Sequence, residues 1–203
     1  MSRKVFISFR YSDGHLYKEE LVKKFNNSDD IINCSEEVNR SNMSEETIKK
    51  YLYDKLRNTS VTIVLLTPKA INHQKDYFGN INDWIYDEVR YSLEDRENNR
   101  CNGLIAVYTP EVEKIIIDRQ TDTIVINDFD NIVRKNMFNI KSNYKHCSTP
   151  NRYDSDLDHY CSLVSWNNFV SNPNYYIDKA IYKRENKEQY DLKVRIQNNY
   201  RYW

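Results

Sequence analysis

Val61-Thr62-Ile63-Val64-Leu65-Leu66 is the stretch that decides the fold of this chain. It is almost wholly apolar and rich in β-branched residues, as expected of a central parallel strand that is buried on both faces. Thr67-Pro68 ends the strand, because proline lacks a backbone N–H donor and disfavours the helical region for the residue before it. The chain is therefore predicted to fold around a parallel sheet.

Predicted strands and helices alternate on both sides of this central strand. Apolar runs predict strands at 4–9, 31–34 and 103–108, and apolar residues at helical spacing predict helices at 15–25, 44–57 and 84–96. The later patterns predict short strands at 115–117 and 123–126, one of them an edge strand, a short helix within 127–138, a strand in 161–169 leading into a turn, and a helix after Pro173. This alternation predicts a flavodoxin-like, three-layer α/β fold with a central, mostly parallel sheet.

The chain has 203 residues, which suits one domain with an extension. Residues 1–138 are predicted to form the α/β domain. Residues 139–160 are polar and irregular, but an apolar pattern resumes after them. Residues 139–203 are therefore predicted to form a C-terminal extension that packs on the same domain.

Composition argues against several classes of function. Lysine plus arginine and aspartate plus glutamate both number 30, so no overall field attracts nucleic acid or a membrane surface. The chain has only three glycines, without a glycine-rich phosphate loop, and its four cysteines form no CxxC pair, so no metal site is expected. Without a signal peptide or a membrane-length apolar run, we predict a cytoplasmic protein with reduced thiols.

The segment 83–93 is predicted to begin a helix that Asp83 caps. Trp84 and Glu88 stand four residues apart, so they share one face of this helix. A carboxylate beside an aromatic ring on a rigid helix suits a pocket for a cationic or sugar-bearing ligand. Taken alone, the pattern also fits a solvated glutamate on an ordinary amphipathic helix, so both interpretations stay open.

The segment 10–14 follows the first predicted strand and is predicted to be a polar loop. Ligands of parallel α/β sheets bind at the carboxyl ends of the strands, so Ser8, Arg10 and Tyr11 become candidates for binding. Asp13 is expected to cap the helix that follows. A plain connection without a ligand is the alternative.

Three segments of the chain resemble Toll/interleukin-1 receptor (TIR) domains, and most closely the TIR-like proteins of the bacterial Thoeris anti-phage system, of the ThsB type. These segments are 5–13, 58–67 and 83–89, and the last resembles the family segment in which a tryptophan precedes the catalytic glutamate by four residues. They occur in the family's order and cover roughly residues 3–108. The connection 68–82 is longer than in many family members, and 35–43, in the place of the family's BB loop, has no matching residues.

This resemblance implies an enzyme that consumes NAD⁺. TIR enzymes cleave the bond between nicotinamide and ribose, and Thoeris members make an ADP-ribose-derived signal, expected here to be cyclic, that activates a partner effector protein. NAD⁺ would be the substrate, without a further cofactor, and a homo-oligomer is a possible working form.

The resemblance also implies a role for each candidate residue. Glu88 would be the catalytic carboxylate, since an ionised carboxylate stabilises the positive ribosyl centre that forms as nicotinamide leaves. Trp84 and Tyr11 would hold the pyridinium ring by cation–π contact. Arg10 would pair with the pyrophosphate, and Ser8 would bind substrate at the sheet edge.

Two other functions remain open at this point. The chain is alternatively a TIR-like scaffold that acts by protein–protein assembly without turning over NAD⁺. A weaker alternative is another N-ribosyl enzyme, such as a nucleoside deoxyribosyltransferase. A Ser/His/Asp hydrolase is disfavoured because no GxSxG motif occurs.

Overall fold

The structure is a computed structural model, and it describes residues 3–26, 31–33, 45–81, 83–95, 100–118 and 120–196. Within these residues the strands are β1 (Arg3–Ser8), β2 (Ile31–Asn33), β3 (Val61–Leu66), β4 (Gly103–Tyr108), β5 (Ile117–Asp118), β6 (Thr123–Ile124) and β7 (Cys161–Ser165). Five of them form one parallel sheet in the order β2–β1–β3–β4–β7. The strand order reverses direction between β1 and β3, which is the arrangement that opens a binding crevice at the carboxyl ends of the strands.

Helices cover both faces of this sheet. They are α1 (Tyr11–Asn26), α2 (Glu45–Leu56), α3 (Trp84–Leu93), α4 (Pro110–Ile116), α5 (Ile132–Lys135), α6 (Trp166–Ser171) and α7 (Pro173–Glu185), with single 3₁₀ turns at Ser142–Tyr144 and Lys187–Gln189. No helix within the described ranges is both long and apolar enough to cross a bilayer.

Alternate residues of the strands pack on opposite faces of the sheet, as the two-residue repeat of a strand requires. Val5 and Ile7 of β1 pack in one cluster with α1, α6 and α7. Phe6, between them, packs on the other face with Leu52 of α2 and Tyr91 of α3. The predicted flavodoxin-like, three-layer α/β fold is confirmed.

The predicted loop after β1 is wrong. Helix α1 begins at Tyr11, four residues earlier than predicted, and the Gly14 N–H already donates to the carbonyl of Arg10 at 2.8 Å. The connection between strand and helix is therefore only Phe9-Arg10. Asp13 lies inside the helix and cannot cap it; one carboxylate oxygen instead accepts the Lys69 N–H at 2.9 Å.

The predicted edge strand is also wrong. Ile115 and Ile116 belong to α4, a helix that proline favours at its first position and that the sequence patterns missed. Strands β5 and β6 form a separate antiparallel pair, and the edge next to β4 is β7. Strand β7 runs directly into α6 rather than into a turn, and α3 ends three residues early at Leu93. The predictions for Cys34, 35–43 and Ser44 fall outside the described residues.

The C-terminal part of the chain contributes directly to the sheet. Strand β7 pairs with β4 in parallel register over Leu104–Tyr108, and α7 packs across the start of β4. The domain boundary at residue 138 stays a prediction, but residues on both sides of it belong to one sheet and one core.

A lysine lies fully buried where α7 meets the sheet. The Lys183 side chain is 0% exposed, and Nζ donates to the carbonyl of His159 at 2.8 Å and to Ser162 Oγ at 2.6 Å. Burial disfavours the charged ammonium and lowers the pKa of Lys183 to about 8 from the usual 10.5. The two hydrogen bonds join α7 to β7 and the residues just before it, while burial removes the water that would hydrate the ammonium group.

Lys183 is expected to make stability rise with pH. Between pH 8 and 10.5 the unfolded chain keeps the lysine protonated while the folded chain loses that proton, so the free energy of unfolding increases across this window. Below pH 8 the lysine is charged in both states. The difference between the two pKa values corresponds to about 3 kcal/mol.

Urea denaturation of the wild type and Lys183→Met over a pH series checks this expectation. The wild-type value minus the variant value should increase by about 3 kcal/mol from pH 8 to pH 10.5. A difference that stays flat with pH would show that burial does not depress the lysine's pKa.

Candidate functional site

Helix α3 starts at the carboxyl edge of the sheet and runs back toward the amino edge. At its start, Asp83 bonds to Arg10, two residues after the end of β1, at 2.8 Å. Near its end, Ser92 bonds to Thr62, the second residue of β3, at 2.7 Å. The helix is therefore antiparallel to the strands, and Trp84 stands at the carboxyl edge where ligands of such sheets bind.

A chain of buried hydrogen bonds fixes the C-terminal half of α3. Ser92 Oγ donates to the carbonyl oxygen of Glu88 at 2.7 Å, so it accepts the hydroxyl proton of Thr62. Thr62 Oγ1 in turn accepts an N–H from the Asn102 side-chain amide at 3.0 Å. Each hydroxyl both donates and accepts, which gives the backbone at Glu88 a defined position against the sheet.

Glu88 and Ser8 lie at similar levels on the same side of the sheet. Phe6 of β1 and Tyr91 of α3 belong to one cluster and mark a common level. Ser8 is two residues after Phe6, which is about 7 Å toward the carboxyl edge of the sheet. Glu88 is three residues before Tyr91 on the antiparallel helix, which is about 4.5 Å toward the same edge. Glu88 is 5% exposed and Ser8 0%. The Ser8 hydroxyl has no hydrogen-bond partner among the described residues.

Two aromatic candidates lie nearer the solvent. Trp84, the first residue of α3, is 44% exposed and belongs to none of the core clusters found among the described residues. Tyr11, the first residue of α1, is 70% exposed and stacks on His15 with ring centroids 5.4 Å apart. Both rings are therefore accessible to a ligand.

Arg10 is held by the residue that caps α3. Its Nη2 donates to Asp83 Oδ2 at 2.8 Å, and the Arg10 side chain is largely buried. Arg10 Nε is buried and has no partner in the part of the chain that the structure describes. An unpaired buried donor is costly, and an anionic group at this position would remove that cost.

The predicted cap of α3 is confirmed, since Asp83 Oδ1 accepts the Ile85 N–H at 3.0 Å. The sequence patterns did not identify the other partners of this carboxylate. Oδ2 also accepts from His73 Nδ1 at 3.2 Å and from the Gln74 N–H at 2.9 Å. Burial raises the pKa of Asp83, but these hydrogen bonds and the charge of Arg10 outweigh burial and hold the pKa below its usual value.

The neighbouring carboxylate has a different role. Asp87 pairs with Arg90 at 3.2 Å on the same helix, and Arg90 also contacts Glu94 and lies over the Tyr91 ring. Asp87 is therefore a structural acid, as its position around the helix indicates. No cluster of three His, Cys, Asp or Glu side chains in the described ranges is placed to hold a metal ion.

A parallel sheet between two layers of helices, with a helix such as α3 beginning at its carboxyl edge, is the architecture of a TIR-like α/β domain. A family model described as "Thoeris protein ThsB, TIR-like domain" matches residues 6–114, more than half of the chain. The chain belongs to this family, and the resemblance seen in the three segments is confirmed. Membership supports a role in anti-phage defence. Strand β7 and helix α7 lie beyond the matched residues.

Proposed function

We propose that this protein is an NAD⁺-consuming TIR enzyme that cleaves the nicotinamide–ribose bond and makes an ADP-ribose-derived signal for a partner effector. The observation that carries the proposal is the position of Glu88. It is buried on a fixed helix, one turn from the half-exposed Trp84. It lies at a similar height along the sheet to the Ser8 hydroxyl, for which the described part of the chain offers no hydrogen-bond partner. Each of these features suits a sugar held at the carboxyl edge of the sheet.

The reaction makes limited demands on the protein. Nicotinamide leaves NAD⁺ as a neutral base, so the leaving group needs no proton. The barrier lies in the positive charge that develops on the ribosyl carbon, and one fixed carboxylate stabilises that charge most strongly where water is excluded. Glu88 supplies this carboxylate, and Ser8 Oγ can bond a ribose hydroxyl beside it.

The remaining candidates would bind the groups on either side of the nicotinamide ribose, which are the pyridinium ring and the pyrophosphate. Trp84 and Tyr11 offer exposed aromatic faces to the pyridinium ring. Arg10 offers its Nε to the pyrophosphate, with Nη2 already committed to Asp83. Attack by water gives ADP-ribose, whereas attack by the folded-back adenine gives a cyclic product.

Mass spectrometry of the products made from NAD⁺ in H₂¹⁸O tests this proposal. The wild type, at high protein concentration and in phage-infected lysate, is expected to release nicotinamide together with a second product. Incorporation of ¹⁸O into that product identifies hydrolysis, and a mass equal to NAD⁺ minus nicotinamide without ¹⁸O identifies cyclisation. Unchanged NAD⁺ under both conditions would contradict the proposal.

One observation favours the second candidate function, a TIR-like scaffold. Tyr77 and Phe78 are 97% and 75% exposed at the tip of a loop that Asp76 holds rigid by accepting the Phe78 and Asn80 N–H groups. Rigid exposed aromatic rings are common at the centre of protein interfaces. Assembly that depends on Tyr77 and Phe78, without any consumption of NAD⁺, would support this function.

A further inference from the structure

The two oxygens of the Asp83 carboxylate have separate tasks. Oδ1 accepts the Ile85 N–H and caps α3. Oδ2 accepts from Arg10 Nη2, His73 Nδ1 and the Gln74 N–H, at 2.8, 3.2 and 2.9 Å. A cap needs only the first oxygen, so the three donors on the second require another explanation.

The hydrogen bonds of His73 fix its tautomer. Its Nε2 accepts the Ile132 N–H at 3.0 Å, so the ring proton is on Nδ1 and is donated to Asp83. The imidazole is 1% exposed and packs edge-on against Tyr86 at 5.1 Å. His73 is therefore a fixed, neutral link between Asp83 and the first residue of α5.

The loop that carries His73 is bonded to a segment beyond the family-matched residues. The His73 N–H donates to the carbonyl of Asp130, and the Asn131 side-chain amide donates to the carbonyls of Ala70 and Ile71. Residues 130–132 thus hold the loop after β3, and that loop holds Asp83. The part of the chain after residue 114 takes part in building the site.

We propose that Asp83 is a positioning residue: together with His73 it holds the Arg10 guanidinium in the orientation that binds the pyrophosphate of the substrate. The identity of the substrate rests on the proposed function. A free arginine side chain loses rotamer freedom when it is immobilised, and this loss opposes binding. The bond to Asp83 restricts the Arg10 side chain before a ligand binds, so less of this freedom is lost on binding.

Asp83→Asn separates positioning from capping. Asparagine caps helices about as well as aspartate, and its one oxygen can still accept the Ile85 N–H. Its NH₂ group would stand in the place of Oδ2, where Arg10, His73 and Gln74 donate their hydrogen bonds. Donors would then face donors, and these three bonds could not form. Helix α3 should stay folded while Arg10 loses its partner.

Isothermal calorimetry with ADP-ribose, which carries the pyrophosphate but no nicotinamide, measures the effect without requiring turnover. Asp83→Asn and Arg10→Gln are each expected to weaken binding about tenfold, and the double variant should bind no more weakly than Arg10→Gln, because both changes remove the same contact. The matched control is Asp87→Asn, which removes a carboxylate from the same helix and should bind as the wild type does.

A second variant keeps the test decisive if Asp83→Asn does not fold. His73→Gln leaves the carboxylate, its cap and its pair with Arg10 in place but breaks the link to Ile132, and it should weaken ADP-ribose binding by about two- to threefold. Wild-type affinity in the folded variants, full additivity of Asp83→Asn and Arg10→Gln, or a wild type that does not bind ADP-ribose would overturn the inference. Coupled losses in a protein that releases no nicotinamide would uphold it and refute the proposed function instead.

Discussion

Glu88→Gln is expected to lower the rate of nicotinamide release by about a thousandfold or more. Glutamine has nearly the shape of glutamate but no charge, so it can keep the buried packing of Glu88 while losing the ability to stabilise a positive ribosyl centre. Because that charge exists only in the transition state, kcat should fall and KM should change little. Steady-state kinetics with NAD⁺, followed by nicotinamide release, gives both constants.

Asp87→Asn is the control for this effect. It makes the same chemical change one residue earlier on α3, at a carboxylate that pairs with Arg90 and not with the proposed substrate. Its kcat should stay within about threefold of the wild type, since a partly exposed ion pair contributes little. Equal losses in the two variants, or none in Glu88→Gln, would remove Glu88 from the catalytic role.

Gly103→Ala is expected to destabilise the fold by about 3 kcal/mol, at the upper end of the usual effect of overpacking. A Cβ atom on Gly103 would lie 2.2 Å from the carbonyl oxygen of Ala180 and 2.6 Å from its carbonyl carbon. These atoms belong to the backbone of α7, so no rotamer change relieves the clash and the helix must move off β4. Denaturant unfolding monitored by circular dichroism measures the loss.

Gly14→Ala makes the same substitution where there is room. A Cβ atom there would contact Phe9 and Thr67 at 3.4 Å or more, and alanine favours the helix in which Gly14 lies. This variant should be as stable as the wild type or more so. If Gly103→Ala were as stable as Gly14→Ala, α7 would not pack on the start of β4 as described.

The parts of the fold that the sequence predicts well are those with local signals. Val61–Leu66 and Gly103–Tyr108 are apolar on both faces, and a run of that kind has no stable place except the centre of a parallel sheet. The edge position of β7 has no such signal, because it depends on pairing with β4 across more than fifty residues. Helix α4 is hard to predict because a proline after an apolar run suits the end of a strand as well as the first residue of a helix, which is the place of Pro110.

In the candidate site too, relations between residues close in the sequence are predictable, and contacts between distant residues are not. The pairing of Trp84 with Glu88 and the cap at Asp83 are visible in the sequence because a helix brings residues four apart onto one face. The bonds of Asp83 to Arg10 and to His73 join residues that are 73 and 10 positions apart in the chain. The two acceptors of the buried Lys183 lie in β7 and shortly before it. Local patterns carry no information on contacts of this kind, so only the folded chain reveals them.

A crystal structure of Glu88→Gln with NAD⁺ tests the central claim most directly, since the variant should bind the substrate without consuming it. The account predicts NAD⁺ at the carboxyl edge of the sheet, with the nicotinamide ribose against Ser8 and the substituted side chain at position 88, and the pyrophosphate on Arg10. NAD⁺ bound elsewhere on the protein, or bound with its ribose away from position 88, would contradict it.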